Sequence, residues 1–148
     1  MGEAMVKEGG VKIDRKALID AALRARERAY APYSGFPVGA ALLGESGNVY
    51  LGCNVENASY GLTWCAERTA IGNAISSGER RFVAIAIVAA TPGPCAPCGA
   101  CRQALLEFGD AIRVIMANVN GAIEEKTAGE LLPEAFGPQA LSKGGRNR

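Results

Sequence analysis

The most informative absence in this sequence of 148 residues is histidine, which does not occur at all. Without imidazole the chain has no serine–histidine or cysteine–histidine catalytic triad, no histidine-ligated metal and no imidazole general base. Any acid–base chemistry must therefore rest on a carboxylate, a lysine, a tyrosine or a metal-bound water.

The sequence also lacks an excess of charge of either sign. Its 16 Lys and Arg residues stand against 15 Asp and Glu residues, for a formal net charge of +1. This balance gives no electrostatic footprint for nucleic acid or for an anionic membrane. No apolar run is long enough to cross a bilayer, and the N-terminus has no signal-peptide core, so we expect a cytoplasmic protein. In that compartment, cysteines are more often metal-binding or catalytic than disulfide-bonded.

Three of the five cysteines, Cys95, Cys98 and Cys101, fall within one short segment just ahead of a helical apolar pattern. Pro97 is tolerated where a helix begins, so the pattern predicts a helix from Gly99. Cys98 and Cys101 then project from one face of its first turn. The partial positive charge of a helix N-terminus lowers the pKa of nearby thiols, which favours metal binding.

A third ligand is available at Cys65, two residues before Glu67. Three protein ligands and a water are typical of catalytic zinc, whereas four protein ligands are typical of structural zinc. Residues two apart do not share a face in mid-helix, so we expect Cys65 at or just before a helix start and Glu67 in the first turn. The structural alternative is a closed site of Cys65, Cys95, Cys98 and Cys101.

The length predicts a single domain over residues 1–148, with a loose N-terminal arm over 1–12 and a flexible tail over 139–148. Helices alternate with strands, which predicts one sheet in an α/β sandwich. The continuously apolar segment Phe82 to Ala90 indicates a central strand buried on both faces. Alternation in the strand from Asn48 to Asn54 leads us to expect Cys53 in the core. The predicted helices run from an N-cap at Asp14 to about Tyr30, from Cys65 to Ser77, from Gly99 to Gly109 and from Ala128 to Leu132.

Cys65-Ala-Glu67 followed by Pro97-Cys98-Gly-Ala-Cys101 resembles the paired metal motifs of the zinc nucleoside and nucleobase deaminases, with cysteine in place of the first histidine. More closely, the chain resembles the small homotetrameric cytidine deaminases over almost its whole length. This resemblance implies a three-layer α/β/α sandwich around a mixed sheet of about five strands. The matching segments are Ala29-Tyr-Ala-Pro-Tyr-Ser, Val38-Gly-Ala-Ala-Leu, Gly52-Cys-Asn-Val-Glu-Asn, Cys65-Ala-Glu-Arg-Thr-Ala, Pro97-Cys-Gly-Ala-Cys-Arg-Gln and Leu131-Leu-Pro-Glu-Ala-Phe-Gly-Pro.

The resemblance implies hydrolytic deamination of cytidine and deoxycytidine to uridine and deoxyuridine, with release of ammonia, in pyrimidine salvage. It implies one zinc per chain, held by Cys65, Cys98 and Cys101. A zinc-bound hydroxide attacks C4 of the pyrimidine while Glu67 carries the proton to N3 and then helps the amino group to leave. Arg68 hydrogen-bonds the ligand sulfurs and offsets their negative charge.

The same resemblance implies how the nucleoside is held. Asn54 and Glu56 bind the ribose hydroxyls, and Phe36 and Phe136 lie against the base. Phe136 comes from a neighbouring subunit, which implies a homotetramer with active sites shared between subunits.

Other functions share parts of this pattern. A deaminase of aminonucleoside antibiotics, of the blasticidin type, has the same metal motifs, although Asn54, Glu56 and the Phe136-Gly-Pro ending favour cytidine. A deaminase acting on nucleic acid is disfavoured by the neutral charge. A non-catalytic four-cysteine zinc module is the alternative from a different class.

Overall fold

The computed structural model describes residues 5–8 and 10–142. Seven strands and four α-helices follow one another along this part of the chain, with single 3-10 turns at Tyr60–Leu62 and Pro138–Leu141. In chain order the elements are β1 (Met5–Glu8), β2 (Val11–Asp14), α1 (Arg15–Arg26), β3 (Val38–Gly44), β4 (Val49–Cys53), α2 (Ala66–Ser76), β5 (Phe82–Ala89), α3 (Gly99–Leu106), β6 (Arg113–Asn118), β7 (Ile123–Thr127) and α4 (Ala128–Leu131).

Five of the strands form one mixed sheet in the order β4-β3-β5-β6-β7. β5 and β6 are parallel, and the other neighbouring pairs are antiparallel. A parallel pair needs a crossover connection, which here contains α3. Every residue of β5 is buried, so the predicted central strand is confirmed.

Helices cover both faces of this sheet. The α1 face has a core of small and branched side chains that includes Ala84, Ala86 and Val88 of β5. The opposite face packs Ile85 and Ile87 of the same strand against α2 and α3. Successive strand residues point to opposite faces, so one buried strand supplies both cores. The predicted three-layer α/β/α sandwich is confirmed.

The α2 helix rests directly on the backbone of β4. A Cβ atom added at Gly52 would collide with the Ala66 carbonyl oxygen and lie 2.9 Å from the Ala70 Cα atom. Only glycine permits this approach. The contact holds the first turns of α2 against the sheet, next to Cys65.

The first helix begins as predicted but ends earlier. The Asp14 side chain accepts a hydrogen bond from the Ala17 N–H at 3.1 Å, so the predicted N-cap is confirmed. The helix ends at Arg26 rather than near Tyr30. Tyr30 pairs in extended conformation with Val55, and its N–H donates to the Asn54 carbonyl oxygen at 2.9 Å.

Three other expectations differ from the structure. Residues 5–8 and 11–14 form an antiparallel hairpin where we expected a loose arm, and Ile13 of this hairpin is fully buried. Cys53 is half-buried, and our prediction that it lies in the core is wrong because α2 covers the opposite face of β4. In the expected tail, residues up to 142 are described and include a 3-10 turn; residues 143–148, like 1–4 and 9, lie outside the described residues.

Within residues 5–8 and 10–142, no helix combines the length and the apolar character that a membrane span requires.

Candidate metal centre and active site

Two helix N-termini meet at one end of the sheet. Cys65 is the N-cap of α2 and Cys98 is the N-cap of α3, both with extended backbone dihedrals. The Sγ atoms of Cys65, Cys98 and Cys101 all lie within 4.8 Å of one another. The structure therefore brings together the three cysteines that the sequence predicted.

The spacing of the sulfurs fits zinc. The Cys65 and Cys98 Sγ atoms are 3.8 Å apart. Zinc–sulfur bonds of about 2.3 Å at tetrahedral angles place two sulfurs roughly 3.8 Å apart. Three thiolates are also soft ligands, which select zinc over magnesium or calcium.

The surroundings of the cluster favour the ionised form of Cys65. Hydrogen bonds from Cys101 and then from Arg68 lower the pKa of Cys65 to about 5, although partial burial opposes this shift. The Arg68 guanidinium lies 3.6 Å from the Cys65 sulfur and also donates to the Thr63 carbonyl oxygen at 3.2 Å. The hydrogen bond to Cys65 and burial raise the pKa of Cys101. Cys65 is thus the readily ionised thiol of the cluster, and a cation bound by all three sulfurs would displace the protons that remain.

Glu67 lies in the first turn of α2, where the sequence predicted it, and is only 4% exposed. Burial raises its pKa to about 7, and the negative charge of Cys65 adds to this effect. A carboxyl group in this environment can take up and release a proton near neutral pH. The structure therefore supplies an acid–base group beside the three sulfurs in a chain without histidine.

Cys95 does not join the three-sulfur group. It is buried in the apolar core on the α2 and α3 face of the sheet, and burial raises its pKa to about 11. Its backbone N–H donates to the Ala117 carbonyl oxygen at 3.2 Å. The overlapping cysteine motif with Cys98 therefore adds no ligand to the cluster.

Two further predicted residues form hydrogen bonds to residues 33–38, where the connection from α1 leads into β3; we call this segment the site loop. Asn54 is buried, and its Oδ1 atom accepts from the Val38 N–H at 2.9 Å while its Nδ2 atom donates to the Phe36 carbonyl oxygen at 2.9 Å. Glu56 accepts hydrogen bonds from the N–H groups of Tyr33 at 2.9 Å and Ser34 at 3.1 Å. The backbone around Phe36 is thus fixed by residues that follow β4.

Comparison with known proteins assigns the chain to a family. The model of the cytidine and deoxycytidylate deaminase zinc-binding region matches residues 12–118, which include the three cysteines and Glu67. The chain belongs to this family.

Individual members of the deaminase family are similar to this chain over most of its length. A cytidine deaminase of Sporosarcina psychrophila is 53% identical over 131 residues, which cover 88% of this chain and 96% of the relative. A cytidine deaminase of Halalkalibacterium halodurans is 57% identical over 125 residues, which cover 84% and 95%. The crystal structure of cytidine deaminase from Burkholderia pseudomallei matches with a TM-score of 0.81 and 56% identity, covering 82% of this chain and 98% of that one.

In this member of the deaminase family, Phe136 lies on the C-terminal segment, residues 131–137. Its side chain is 62% exposed, and its carbonyl oxygen accepts a hydrogen bond from Gln103 of α3 at 2.8 Å. Arg102 donates to the Leu131 carbonyl oxygen at 3.0 Å and to the Pro97 carbonyl oxygen at 2.8 Å. The helix that contains Cys101 and is capped by Cys98 therefore also holds the segment that carries Phe136.

Sequence reasoning did not assign a role to Arg102, Gln103 or Ser34. All three stand in segments that resemble the deaminase family, Arg102 and Gln103 directly after Cys101 and Ser34 at the end of Ala29-Tyr-Ala-Pro-Tyr-Ser. Their position beside predicted site residues was the available signal.

Proposed function

We propose that this chain is a zinc-dependent cytidine deaminase of pyrimidine salvage, which hydrolyses cytidine and deoxycytidine to uridine and deoxyuridine and releases ammonia. The observation that carries the proposal is the buried carboxyl group of Glu67, which lies two residues after Cys65 at the start of α2, where Cys65 clusters with the thiols of Cys98 and Cys101. Relatives named cytidine deaminase at 53% and 57% identity support the same substrate class.

Cys65, Cys98 and Cys101 would hold one zinc per chain. When bound, zinc lowers the pKa of a coordinated water toward ~7 and so supplies a nucleophile at neutral pH. Three thiolates leave an excess of negative charge at the site. The guanidinium of Arg68, 3.6 Å from the Cys65 sulfur, offsets part of that charge through a hydrogen bond.

Glu67 moves the protons. Its carboxylate accepts a proton from the attacking water and delivers it to N3 of the pyrimidine as the new bond to C4 forms. It then assists proton transfer to the amino group, so that the C4–N bond breaks and ammonia leaves. A pKa near 7 suits both roles, because the group is neither a strong acid nor a strong base at that pH.

Asn54 and Glu56 bind the sugar, and Phe36 faces the base. Asn54 uses one N–H and one lone pair on the site loop, which leaves one donor and one acceptor for a ribose hydroxyl. The Glu56 carboxylate lies at the surface and keeps acceptor capacity beyond its hydrogen bonds to the loop. These contacts distinguish a nucleoside from a free base.

The proposed enzyme is a homotetramer that shares its active sites between subunits. Val55, Tyr60, Leu62 and Trp64 form an exposed apolar surface beside the site, with Tyr60 74% and Trp64 61% exposed. Contiguous exposed apolar surface is characteristic of protein interfaces. Phe136 is similarly exposed, as a side chain contributed to a neighbouring subunit would be. The cytoplasmic location and the absence of nucleic-acid and membrane partners stay predictions from the sequence.

The test incubates the purified protein with cytidine and follows the loss of cytosine absorbance, with zinc per chain measured in parallel. Glu67→Gln should lower kcat by roughly 100- to 10,000-fold, the contribution of general acid–base catalysis, while it retains one zinc. Glu79→Gln, at the other end of α2, is the matched control and should retain activity. Zinc without turnover of cytidine would contradict the proposal and direct the assay to aminonucleoside antibiotics, and then to a structural zinc site.

A further inference from the structure

Ser34 joins two predicted substrate-binding residues through one hydroxyl group. The Phe36 N–H donates to Ser34 Oγ at 3.0 Å. The same hydroxyl donates to the Glu56 carboxylate through a short hydrogen bond. Ser34 also donates its backbone N–H to the other oxygen of that carboxylate at 3.1 Å. The serine thus contacts Glu56 twice and fixes the peptide of Phe36.

The direction of these hydrogen bonds is determined by the groups involved. An ionised carboxylate only accepts, and a serine hydroxyl has a single proton. That proton is therefore committed to Glu56, and a lone pair of Oγ remains for the Phe36 N–H. Consistently, the hydroxyl of Ser34 is the main cause of a lowered pKa of Glu56, so the carboxylate is ionised at neutral pH.

Burial does not hold the Glu56 carboxylate in place, because this group lies at the surface although the residue as a whole is half-buried. A glutamate has several rotatable bonds, and a free side chain loses considerable rotamer entropy when it binds a ligand. Hydrogen bonds from the site loop restrict Glu56 before any ligand arrives. In the described part of the chain, this carboxylate accepts hydrogen bonds from the backbone N–H groups of Tyr33 and Ser34 and from one side chain, the Ser34 hydroxyl.

We infer that Ser34 is a positioning residue for sugar recognition: its hydroxyl orients the Glu56 carboxylate toward the nucleoside sugar before the substrate binds. This inference rests on the proposed role of Glu56 as a ligand of the ribose hydroxyls. Preorganisation of this kind lowers the free-energy cost of binding and leaves the chemical step unchanged.

The chain contains a matched control for this arrangement. Ser46, in the turn between β3 and β4, donates its hydroxyl to Glu79, and the Asn48 N–H donates to Ser46 Oγ at 3.2 Å. The Ser46 N–H also donates to Glu79 at 3.3 Å. Glu79 follows the C-terminal end of α2, whereas the cysteine cluster lies at its N-terminal end. Removal of either hydroxyl breaks the same contacts, but only Ser34 adjoins the proposed site.

The experiment measures KM and kcat of the zinc-loaded full-length protein and of Ser34→Ala, Ser34→Thr and Ser46→Ala. The substrates are cytidine and 2′,3′-dideoxycytidine, which lacks the 2′- and 3′-hydroxyls of the sugar. Ser34→Ala should raise KM for cytidine about tenfold, the equivalent of one hydrogen bond to a charged group. KM for the dideoxynucleoside and both kcat values should change by less than about twofold, as expected for lost ground-state binding.

Two variants separate positioning from a general structural effect. Ser34→Thr keeps the hydroxyl, and because Ser34 is exposed its added methyl group has room, so KM should return to the parent value. Ser46→Ala should leave KM and kcat for cytidine unchanged. In a Glu56→Gln background, Ser34→Ala should add no further rise in KM, since the two residues act as one unit.

The results that would contradict these expectations separate the role of Ser34, the role of Glu56 and the proposed function. An unchanged KM in Ser34→Ala, or an equal rise for both nucleosides, overturns the role of Ser34 and leaves the proposed function in place. An unchanged KM in Glu56→Gln overturns the sugar-binding role of Glu56 and the inference about Ser34 together. A parent protein that does not turn over cytidine overturns the proposed function and, with it, this inference.

Discussion

A glutamate lies near each end of helix α2, and the pKa values of the two glutamates are shifted in opposite directions. Glu67, in the first turn, is buried beside thiols, and burial raises its pKa to about 7. Glu79, beyond the last turn, accepts hydrogen bonds from Ser46 and from the Tyr50 hydroxyl at 3.0 Å, and its pKa is lowered, first by the Ser46 hydroxyl.

The difference shows that donors and solvent, rather than residue type or helix, determine what a carboxyl group can do. Hydrogen-bond donors stabilise the charged form of Glu79 and make it a fixed acceptor. Burial with few donors destabilises the charged form of Glu67 and makes it a proton carrier. Glu67 at the start of α2 is therefore suited to proton transfer, and Glu79 beyond its end is suited to holding the turn between β3 and β4.

The largest effect should come from breaking the metal-binding end at Cys98. This side chain is exposed, so its truncation removes little packing. Cys98→Ala should nevertheless lower zinc affinity by more than ~100-fold, because loss of a residue that only hydrogen-bonds a metal ligand already lowers metal affinity by up to about 100-fold. Zinc per chain and cytidine turnover check this outcome. Cys53→Ala, which removes a cysteine outside the cluster, should keep both, and full zinc retention by Cys98→Ala would exclude it as a ligand.

The next effect should come from moving that end of the helix relative to the sheet. Gly52→Ala places a Cβ atom against the backbone of α2 at Ala66 and Ala70. We expect a loss of about 1–3 kcal/mol in the free energy of unfolding, typical of overpacking, together with lower turnover. Denaturant unfolding measures the loss. Gly72→Ala is the control: Gly72 is exposed on the same helix, with open space around it, and alanine there should increase stability by up to ~1 kcal/mol.

A smaller effect should come from Cys95, whose replacement tests whether the metal site includes a fourth cysteine. Cys95 is buried outside the three-sulfur group, so Cys95→Ser should keep one zinc per chain and lower stability by about 1 kcal/mol. Metal analysis and thermal unfolding check the two parts. Release of zinc from this variant would instead support the closed four-cysteine site.

The smallest effect should come from the other end of α2. Because the folded-state pKa of Glu79 lies below its ordinary value of 4.5, ionisation of Glu79 favours the folded state at neutral pH. The stability difference between the parent and Glu79→Gln should therefore be fully present above pH 4.5 and disappear as the pH falls through the lowered pKa. Unfolding midpoints at several pH values test this, and kcat/KM should stay within about twofold. A difference that grows on acidification would contradict the hydrogen bonds assigned to Glu79.

Local signals predicted the Cys98 and Cys101 pair, the Cys65 and Glu67 pair and the buried β5, whereas the resemblance to the deaminases joined the two pairs into one site. Helix-start residues, short spacings and apolar runs are determined within a few positions of the chain. The early end of α1 was not visible, since Tyr30 pairs with Val55 far along the chain. Contacts of this kind follow from tertiary structure, which overrides local helix propensity.

The two serine–glutamate arrangements were missed for the same physical reason. Ser34 and Glu56 are 22 residues apart, and Ser46 and Glu79 are 33 residues apart. A hydrogen bond between distant side chains leaves no periodic pattern in the sequence. Cys53 was misplaced because alternation separates the two faces of a strand without showing which face a helix covers.

The position of Cys65 and Cys98 at two different helix starts has a consequence for the durability of the protein. The two residues are 33 positions apart, so a cation bound by both closes a chain loop as a covalent cross-link does. Closing a loop of that length lowers the conformational entropy of the unfolded chain and so raises its free energy by roughly 3–4 kcal/mol. The metal therefore acts as a cross-link between the starts of α2 and α3. A chelator should lower the melting temperature of the protein as well as abolish turnover.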